Sequence, residues 1–428
     1  MLPGTRKCKR FCRRISPLGG MLLLAACTTT PLDPGALPDD AAACLADYEA
    51  LDRRLASAEL HDQGAYRVAG FPWLRSNRFI ASFRDELDGP ELWRGWLAHL
   101  AREDLEARRY ELANLKTAEP HSETVGERVR ALKQCSERLN DEVLSDPALQ
   151  ISLRSAAEVP DEYRTGMRWL GMYPLTRLPV LVGVNRLHSQ QSEALATSGF
   201  AEDATEARQW LAQDARSAER LPGTARADWP RDSLGIPRPD TEALTQLYAK
   251  HAPVWRIAQD SPDDRLGQPE WSPESTVRVD TDEPVEYRFL SFTRFHGRIL
   301  PQLNYMVWLP ARPRQGVFDL LGGHLDGLIW RVTLTENGEV LAAESLHSCG
   351  CYYMVFPGSG AGAADTRAAG EPISSTELSV RPAEALRSLP HPDGRRSLYG
   401  QRGLIKGSER RERWAMVSCA CSASRFHA

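Results

Sequence analysis

The sequence predicts an α+β protein with a helical N-terminal domain and a β-rich C-terminal domain, the latter an antiparallel sheet or a sandwich. Three observations carry this prediction. At 428 residues the chain is too long for one ordinary core. Its first half repeats apolar residues every three or four positions, as a helix does. After Pro253 the pattern changes to short runs of β-branched and aromatic residues bounded by turns.

The boundaries follow these changes of pattern. A leader occupies residues 1–26 and a Thr/Pro tether residues 27–38. The helical domain is predicted over 39–200 and the β-rich domain over 251–428. Between them, residues 201–250 read as a proline-rich linker ending in a short helix that Asp240 caps.

Two helices of the first domain matter most for its chemistry. The first begins at Asp39 and carries Cys44 on its apolar side. A long helix follows Asp88-Gly89-Pro90, where proline suits the first turn. The next helix is predicted from Ser122 and carries Cys135 near its apolar stripe. We therefore expect Cys44 and Cys135 to form a disulfide; the alternative is two separate buried thiols.

The strands of the second domain are recognised by composition and by their flanking turns. They are Val254–Ile257, Val277–Val279, Val285–Phe295, Leu303–Leu309, Val317–Leu321, the two arms of Leu328–Phe356, and Thr376–Val380. Asn337-Gly338 divides Leu328–Phe356, and this dipeptide is the strongest short-range signal for a β-hairpin.

The first 26 residues resemble a bacterial lipoprotein signal. A basic stretch without acidic residues is followed by a short apolar run that ends Leu24-Ala25-Ala26-Cys27. The resemblance implies that Cys27 is lipidated (palmitate among its acyl chains) and becomes the new N-terminus. It also implies, through Thr28, sorting to the outer membrane with the chain facing the periplasm. The alternative is an ordinary secretory signal that is cut elsewhere.

Charge argues against two classes of partner. Without the six basic residues of the leader, 47 basic residues face 57 acidic ones, a net charge of −10 with His neutral. An acidic chain without a basic patch does not suit nucleic acid, nor an anionic membrane as the main partner. We expect the lipid anchor to provide the membrane contact. The stretch Tyr173–Leu187 is apolar, but it is interrupted by Pro179 and too short to cross a bilayer.

The remaining cysteines are candidates for metal binding, for disulfides or for catalysis. Cys349 and Cys351 follow His347 at two-residue spacing, so the three side chains would share one side of an extended strand. Imidazole and thiolates suit zinc or copper(I), with His296 or His324 completing the shell. The alternatives are a disulfide of Cys349 or Cys351 with Cys419 or Cys421, or a free catalytic thiol.

A catalytic interpretation uses neighbouring residues. Familiar hydrolase, zincin and nucleotide-binding motifs are absent from the sequence. Cys349 or Cys351 could still pair with His296, His324 or His347 as nucleophile and base. Asn304 or Asp326 would then orient the base. The alternative is a set of ordinary polar residues at strand ends.

Several segments resemble a family of uncharacterised proteobacterial lipoproteins or secreted proteins with a His-x-Cys-Gly-Cys-Tyr motif. They are Gly70–Arg75, Phe292–Phe295, Gln302–Tyr305, Leu325–Leu334 and His347–Tyr352. The resemblance covers most of the chain after the leader and implies no activity.

The chain departs from that family in two places. In the family a His follows the motif tyrosine, whereas here Tyr353 does. The family also continues with an apolar tail, whereas residues 415–428 of this chain read as a truncated or frame-shifted terminus. In that case Cys419 and Cys421 would be accidental.

These observations favour a membrane-anchored, periplasmic lipoprotein of unknown molecular activity, either a binding protein or an envelope-associated protein. They do not identify its protein or small-molecule partner. The second hypothesis is a metal-dependent or cysteine-dependent hydrolase around His347, Cys349 and Cys351.

Overall fold

A computed structural model describes most of the chain. It covers residues 34–118, 124–160, 165–171, scattered positions from 173 to 189, 207–212, 229–258, 261–272, 276–313, 323–348, 350, 353–358 and 422–427. The fold is α+β, with helices N-terminal and an antiparallel sheet C-terminal, as predicted.

Among the described residues from 34 to 171, the N-terminal part consists of helices and one small hairpin. Its helices are α1 (Asp39–Ser57), α2 (Arg78–Ala81), α3 (Pro90–Ala118), α4 (Val125–Ser145), α5 (Pro147–Ala156) and α6 (Thr165–Leu170). The hairpin pairs β1 (Tyr66–Arg67) with β2 (Arg75–Ser76). Thr124 and Glu127 form a reciprocal capping box at the start of α4, which fixes where this helix begins.

Helices α1, α3 and α4 pack around a core of Leu and Trp side chains. Trp96 of α3 is completely buried and donates its indole N–H to the Ile80 carbonyl at 2.9 Å. A disulfide joins Cys44 of α1 to Cys135 of α4, with a Cα–Cα distance of 5.2 Å. The pairing of Cys44 with Cys135 predicted from their helix faces is therefore confirmed.

The C-terminal half is built on a five-strand antiparallel meander. Its strands are β7 (Val285–Phe295), β8 (Arg298–Arg312), β9 (Gly323–Leu334), β10 (Val340–His347) and β11 (Met354–Pro357). Beyond β7 the same sheet adds β12 (Ser422–His427), β3 (Ala207–Ala212) and β4 (Trp255–Ala258). A separate hairpin pairs β5 (Gln268–Trp271) with β6 (Val277–Asp280).

The predicted hairpin is present. Gly338 adopts a φ of 76°, which favours glycine, and its N–H donates to the Thr335 carbonyl at 2.9 Å. The predicted strands Val317–Leu321 and Thr376–Val380 lie outside the described residues. Strand β3 was missed, because it is a short strand within a polar stretch that reads as linker.

The two faces of the meander differ. Alternate residues of β8 and β9, such as Leu303, Tyr305 and Val332, are buried against α7 (Thr241–His251) and nearby strands. The Tyr305 hydroxyl donates to the Tyr248 carbonyl of α7 at 2.9 Å. The residues between them point to the opposite face, and several of these are polar.

The turn 231–238 joins the two halves. Asp232 accepts a hydrogen bond from buried His99 of α3 at 2.7 Å, and its other oxygen accepts the Leu234 and Ile236 N–H groups at 3.0 Å. A Cβ on Gly95 of α3 would lie 2.0 Å from the Ser233 hydroxyl, so only glycine allows this close approach.

Candidate functional site

His347 and Asp326 form a side-chain pair at one end of the meander. His347 lies directly opposite Leu328, and Asp326 is two positions from Leu328 on the same side of β9. The imidazole Nδ1 is 3.2 Å from Asp326 Oδ1, and both side chains are largely buried. Asp326 is thus positioned to hold His347 in one ring orientation. That it orients a catalytic base stays a prediction.

The backbone turns immediately after this pair. The Ser348 N–H donates to the Gly327 carbonyl at 2.8 Å, and a Cβ on Gly327 would lie 2.9 Å from the Ser348 side chain. Gly350 has a φ of 79° and donates its N–H to the His347 carbonyl at 2.8 Å. The chain therefore bends at Gly350, as its position in the motif predicted.

The other two candidate histidines lie at different distances from the His347–Asp326 pair. His324 is exposed, pairs with Ala311 across β8 and β9, and lies two residues before Asp326. His296 lies in the turn between β7 and β8, next to Arg298. Arg298 and Ala311 are 13 positions apart on β8. At about 3.3 Å per residue, His296 and His324 are about 40 Å apart. His296 therefore cannot share a site with His324 or His347.

The metal hypothesis depends on residues outside the described part of the chain. Cys349 and Cys351 are both outside it, as are Cys27, Cys419 and Cys421. Within the described ranges, no three His, Cys, Asp or Glu side chains are placed to hold a metal ion. Zinc or copper at His347, Cys349 and Cys351 stays a prediction.

A second group of polar side chains lies on the opposite face of the sheet, centred on Arg331. This residue belongs to the central strand of the meander and pairs with Asn304 on β8 and Glu344 on β10. Its Nε donates to Asn304 Oδ1 at 2.8 Å, while Nη1 is 3.6 Å from Glu344 Oε2. Arg331 keeps a quarter of its side chain exposed.

The neighbours of Arg331 are held in place. Asn304 is completely buried, and its amide nitrogen donates to the Ser291 hydroxyl at 2.9 Å and the Phe289 carbonyl at 3.1 Å. The Tyr353 hydroxyl donates to the other oxygen of Glu344. Asn304 therefore orients Arg331. It does not contact a histidine among the described residues, although the sequence suggested it as a residue that could orient a catalytic base.

The Nη groups of Arg331 are the available donors at this site. Within the part of the chain that the structure describes, neither Nη makes a hydrogen bond, and the Glu344 contact is too long to be one. Phe289, Met306 and Ile329, half-buried on the same face, provide apolar surroundings. A fixed guanidinium in such surroundings suits a ligand with a carboxylate.

A third concentration of charge lies inside the helical half. Arg75 and Arg108 are completely buried and share the carboxylates of Asp104 and Glu111. Arg108 also contacts Asp52 Oδ1 at 2.6 Å. Its remaining nitrogen donates to the Pro72 carbonyl at 2.9 Å, which ties the Gly70–Arg75 loop to α3.

This cluster is internally satisfied. Burial alone would raise the pKa of Glu111, but Arg75 and Arg108 outweigh burial and lower it. Burial raises the pKa of Tyr48, whose hydroxyl donates to the Leu132 carbonyl at 2.9 Å. Since the arginines and carboxylates are paired with one another, the cluster fixes the packing of α1, α3 and the loop. Few of its charged groups are available to bind a ligand.

Sequence reasoning missed Arg331 and Glu344. The signal was available, because Arg331 and Thr333 alternate with apolar residues on β9 and so mark the face away from the core. The buried ion cluster was also missed, since arginine in a loop and carboxylates on a helix read as solvated charges.

Comparison with protein-family models, with curated proteins and with solved structures gave no match for this chain.

Proposed function

We propose that this chain is a lipid-anchored, periplasm-facing protein that binds a carboxylate-bearing ligand or partner. The anchor is Cys27, at the end of the Leu24–Cys27 lipoprotein signal. The Cys44–Cys135 disulfide supports export, because disulfides persist in oxidising compartments. Among the described residues, no helix has the length and apolar character to cross a bilayer.

Acylation of Cys27 is tested by metabolic labelling in a bacterial host with an alkyne fatty acid. We expect label on the wild-type chain and none on Cys27→Ala. Cys8→Ala, which changes a cysteine in the basic stretch of the leader, should keep the label. Equal labelling of Cys27→Ala and wild type would reject Cys27 as the acceptor.

The observation that supports binding is the Arg331 guanidinium, which Asn304 orients at 2.8 Å and whose Nη groups face a half-open sheet surface. An Nη donor bonded to a carboxylate is a charge-assisted contact, worth about 1.5–3 kcal/mol. Glu344 balances the charge of Arg331 without occupying those donors, so a ligand need not displace it.

Octanoate, a carboxylate with an apolar tail, is a suitable calorimetric probe of this surface. We expect Arg331→Ala to weaken its binding about tenfold or more. The matched control is Arg298→Ala, a change at an arginine with 71% of its side chain exposed at the far turn. Equal affinities of Arg331→Ala and wild type would remove this surface as the binding site.

A second candidate function is a cysteine-dependent hydrolase, and the His347–Asp326 contact at 3.2 Å favours it. In this hypothesis Asp326 orients His347, which activates the thiol of Cys349. Iodoacetamide should then alkylate Cys349 rapidly near neutral pH. His347→Ala should slow this reaction about tenfold, whereas His324→Ala should not. A Cys349 that resists alkylation because it is bonded to another cysteine or to zinc would exclude the free-thiol mechanism.

A further inference from the structure

Residues 165–189 carry a concentration of exposed apolar side chains. In the described part of this stretch, eight large apolar residues face solvent: Met167, Trp169, Leu170, Tyr173, Leu175, Leu178, Leu181 and Val182. Leu170 is 80% exposed and Leu175 72%. Soluble domains rarely leave so many neighbouring apolar groups in water, so this surface points to a contact. We call these eight residues the apolar segment.

The apolar segment has a helical backbone over several turns. Residues 165–170, 175–179 and 181–183 are helical. Leu175, Leu178 and Val182 follow one another at three- and four-residue spacing, which places them on one side of the helical turns. They therefore offer one continuous apolar side to a partner.

The charges of the same stretch have one sign. Arg168, Arg177 and Arg186 lie between residues 165 and 189, and the sequence has no Asp or Glu there. This local excess of positive charge is hidden within a chain that is acidic as a whole. A contact surface with apolar side chains and arginines is complementary to a phospholipid surface with anionic headgroups.

We propose that the apolar segment inserts into the headgroup region of a phospholipid bilayer and lies parallel to it. Trp169 and Tyr173 suit this depth, because their rings combine an apolar body with a polar group. The segment is too short and too interrupted to cross the bilayer. It holds the folded domain against the membrane and limits its orientations.

The lipid anchor favours a bilayer over other occupants. Eleven residues, 28–38, separate Cys27 from α1. At about 3.5 Å per residue they reach no more than about 40 Å, so α1 begins within about 40 Å of the anchored Cys27. The inference rests on the proposed function only because the lipid anchor keeps the chain next to a membrane. The contact with the bilayer is made by the apolar segment itself.

Vesicle flotation tests the contact without the anchor. The mature chain, residues 27–428 with Cys27→Ala, is mixed with vesicles of phosphatidylethanolamine and phosphatidylglycerol, and the bound fraction is measured. We expect binding that weakens about tenfold or more in Leu175→Asp/Leu178→Asp, since charges replace buried apolar groups. These side chains face solvent, so the fold should survive, and no variant contains the basic, apolar leader.

Ile151→Asp is the matched control, because Ile151 is also 72% exposed but lies on α5, outside the segment. It should bind vesicles as its parent does. Equal binding of parent and double variant, or no binding of the parent, would overturn the proposal while leaving labelling at Cys27 untouched. A dimer in light scattering that Leu175→Asp/Leu178→Asp dissociates would also overturn it, since a second copy would then cover the segment.

Discussion

At the scale of single residues, buried charges explain more of this structure than any catalytic motif does. Arg75, Arg108, Asp104 and Glu111 are all buried, and each has at least two partners of opposite charge. Such a cluster adds little net stability when complete, but removing one member leaves buried charges unpaired. This asymmetry makes the cluster easy to test.

Arg108→Met should lower the free energy of unfolding by about 3–5 kcal/mol, because Asp52, Asp104 and Glu111 all lose a partner. Urea unfolding followed by circular dichroism measures the change. Arg109→Met is the control, since Arg109 is exposed on the same helix; it should change stability by less than about 0.5 kcal/mol. Similar stability of the two variants would contradict the pairing described for α3.

His251, the last residue of α7, predicts a loss of stability in acid. Its Nε2 is shielded from solvent and has no hydrogen-bond partner among the described residues. Burial, with a smaller effect of Lys250, lowers the pKa of His251 to about 4. The unfolded chain, with a pKa near the usual 6.5, therefore takes up the proton first. Stability should fall by about 2–3 kcal/mol as the pH drops from about 6.5 to about 4.

The measurement is urea unfolding at several pH values in that range. His251→Gln should show a flatter dependence on pH than the wild type, whereas His324→Gln, at an exposed position, should follow the wild type. An unchanged slope in His251→Gln would assign the acid sensitivity to other groups.

At the scale of elements, the sequence predicts what depends on local pattern and turn chemistry. Strand β7 has the bounds predicted for it, Asn337-Gly338 makes the expected turn, and Asp240 caps α7. Strand β3 was not predictable, because its pairing with β4 and β12 is made by distant segments. The His347–Asp326 pair was foreseen as one possibility, but only the register of β9 and β10 selects it over His296.

The disulfide is the strongest link between elements that the sequence predicted. It closes a loop over a sequence separation of 91 and joins α1 to α4. By the chain-entropy relation, the free energy of unfolding of Cys44→Ala/Cys135→Ala should be about 4.6 kcal/mol lower than that of the wild type. Reduction of the wild type with dithiothreitol should bring it to the same midpoint of urea unfolding. A midpoint that reduction leaves unchanged would mean that the disulfide contributes nothing to stability.

At the scale of the whole molecule, the two halves meet through specific side-chain contacts. Arg294 on β7 donates through Nη2 to both carboxylate oxygens of Glu86, at 2.7 and 2.9 Å, and Phe292 stacks on Phe79. The turn containing Asp232 adds the hydrogen bond to His99. The sequence predicts that this turn belongs to a linker, because its prolines do not indicate that it packs against α3.

Net charge describes the whole molecule and not a single surface of it. An acidic total argues against an anionic membrane as the main partner, whereas residues 165–189 carry three arginines and no acidic residue. The sequence does not predict the apolar segment, since an apolar stretch is ordinarily core and only the fold shows which side chains face solvent.

The central claim is that the chain is exported, acylated at Cys27 and oxidised at Cys44 and Cys135. Peptide mass spectrometry tests it on chain recovered from cells whose thiols were blocked before lysis. The account predicts an N-terminal peptide that begins with acylated Cys27, and a linked pair of peptides that contain Cys44 and Cys135. An unprocessed peptide spanning residues 17–30, together with alkylated Cys44 and Cys135, would contradict it.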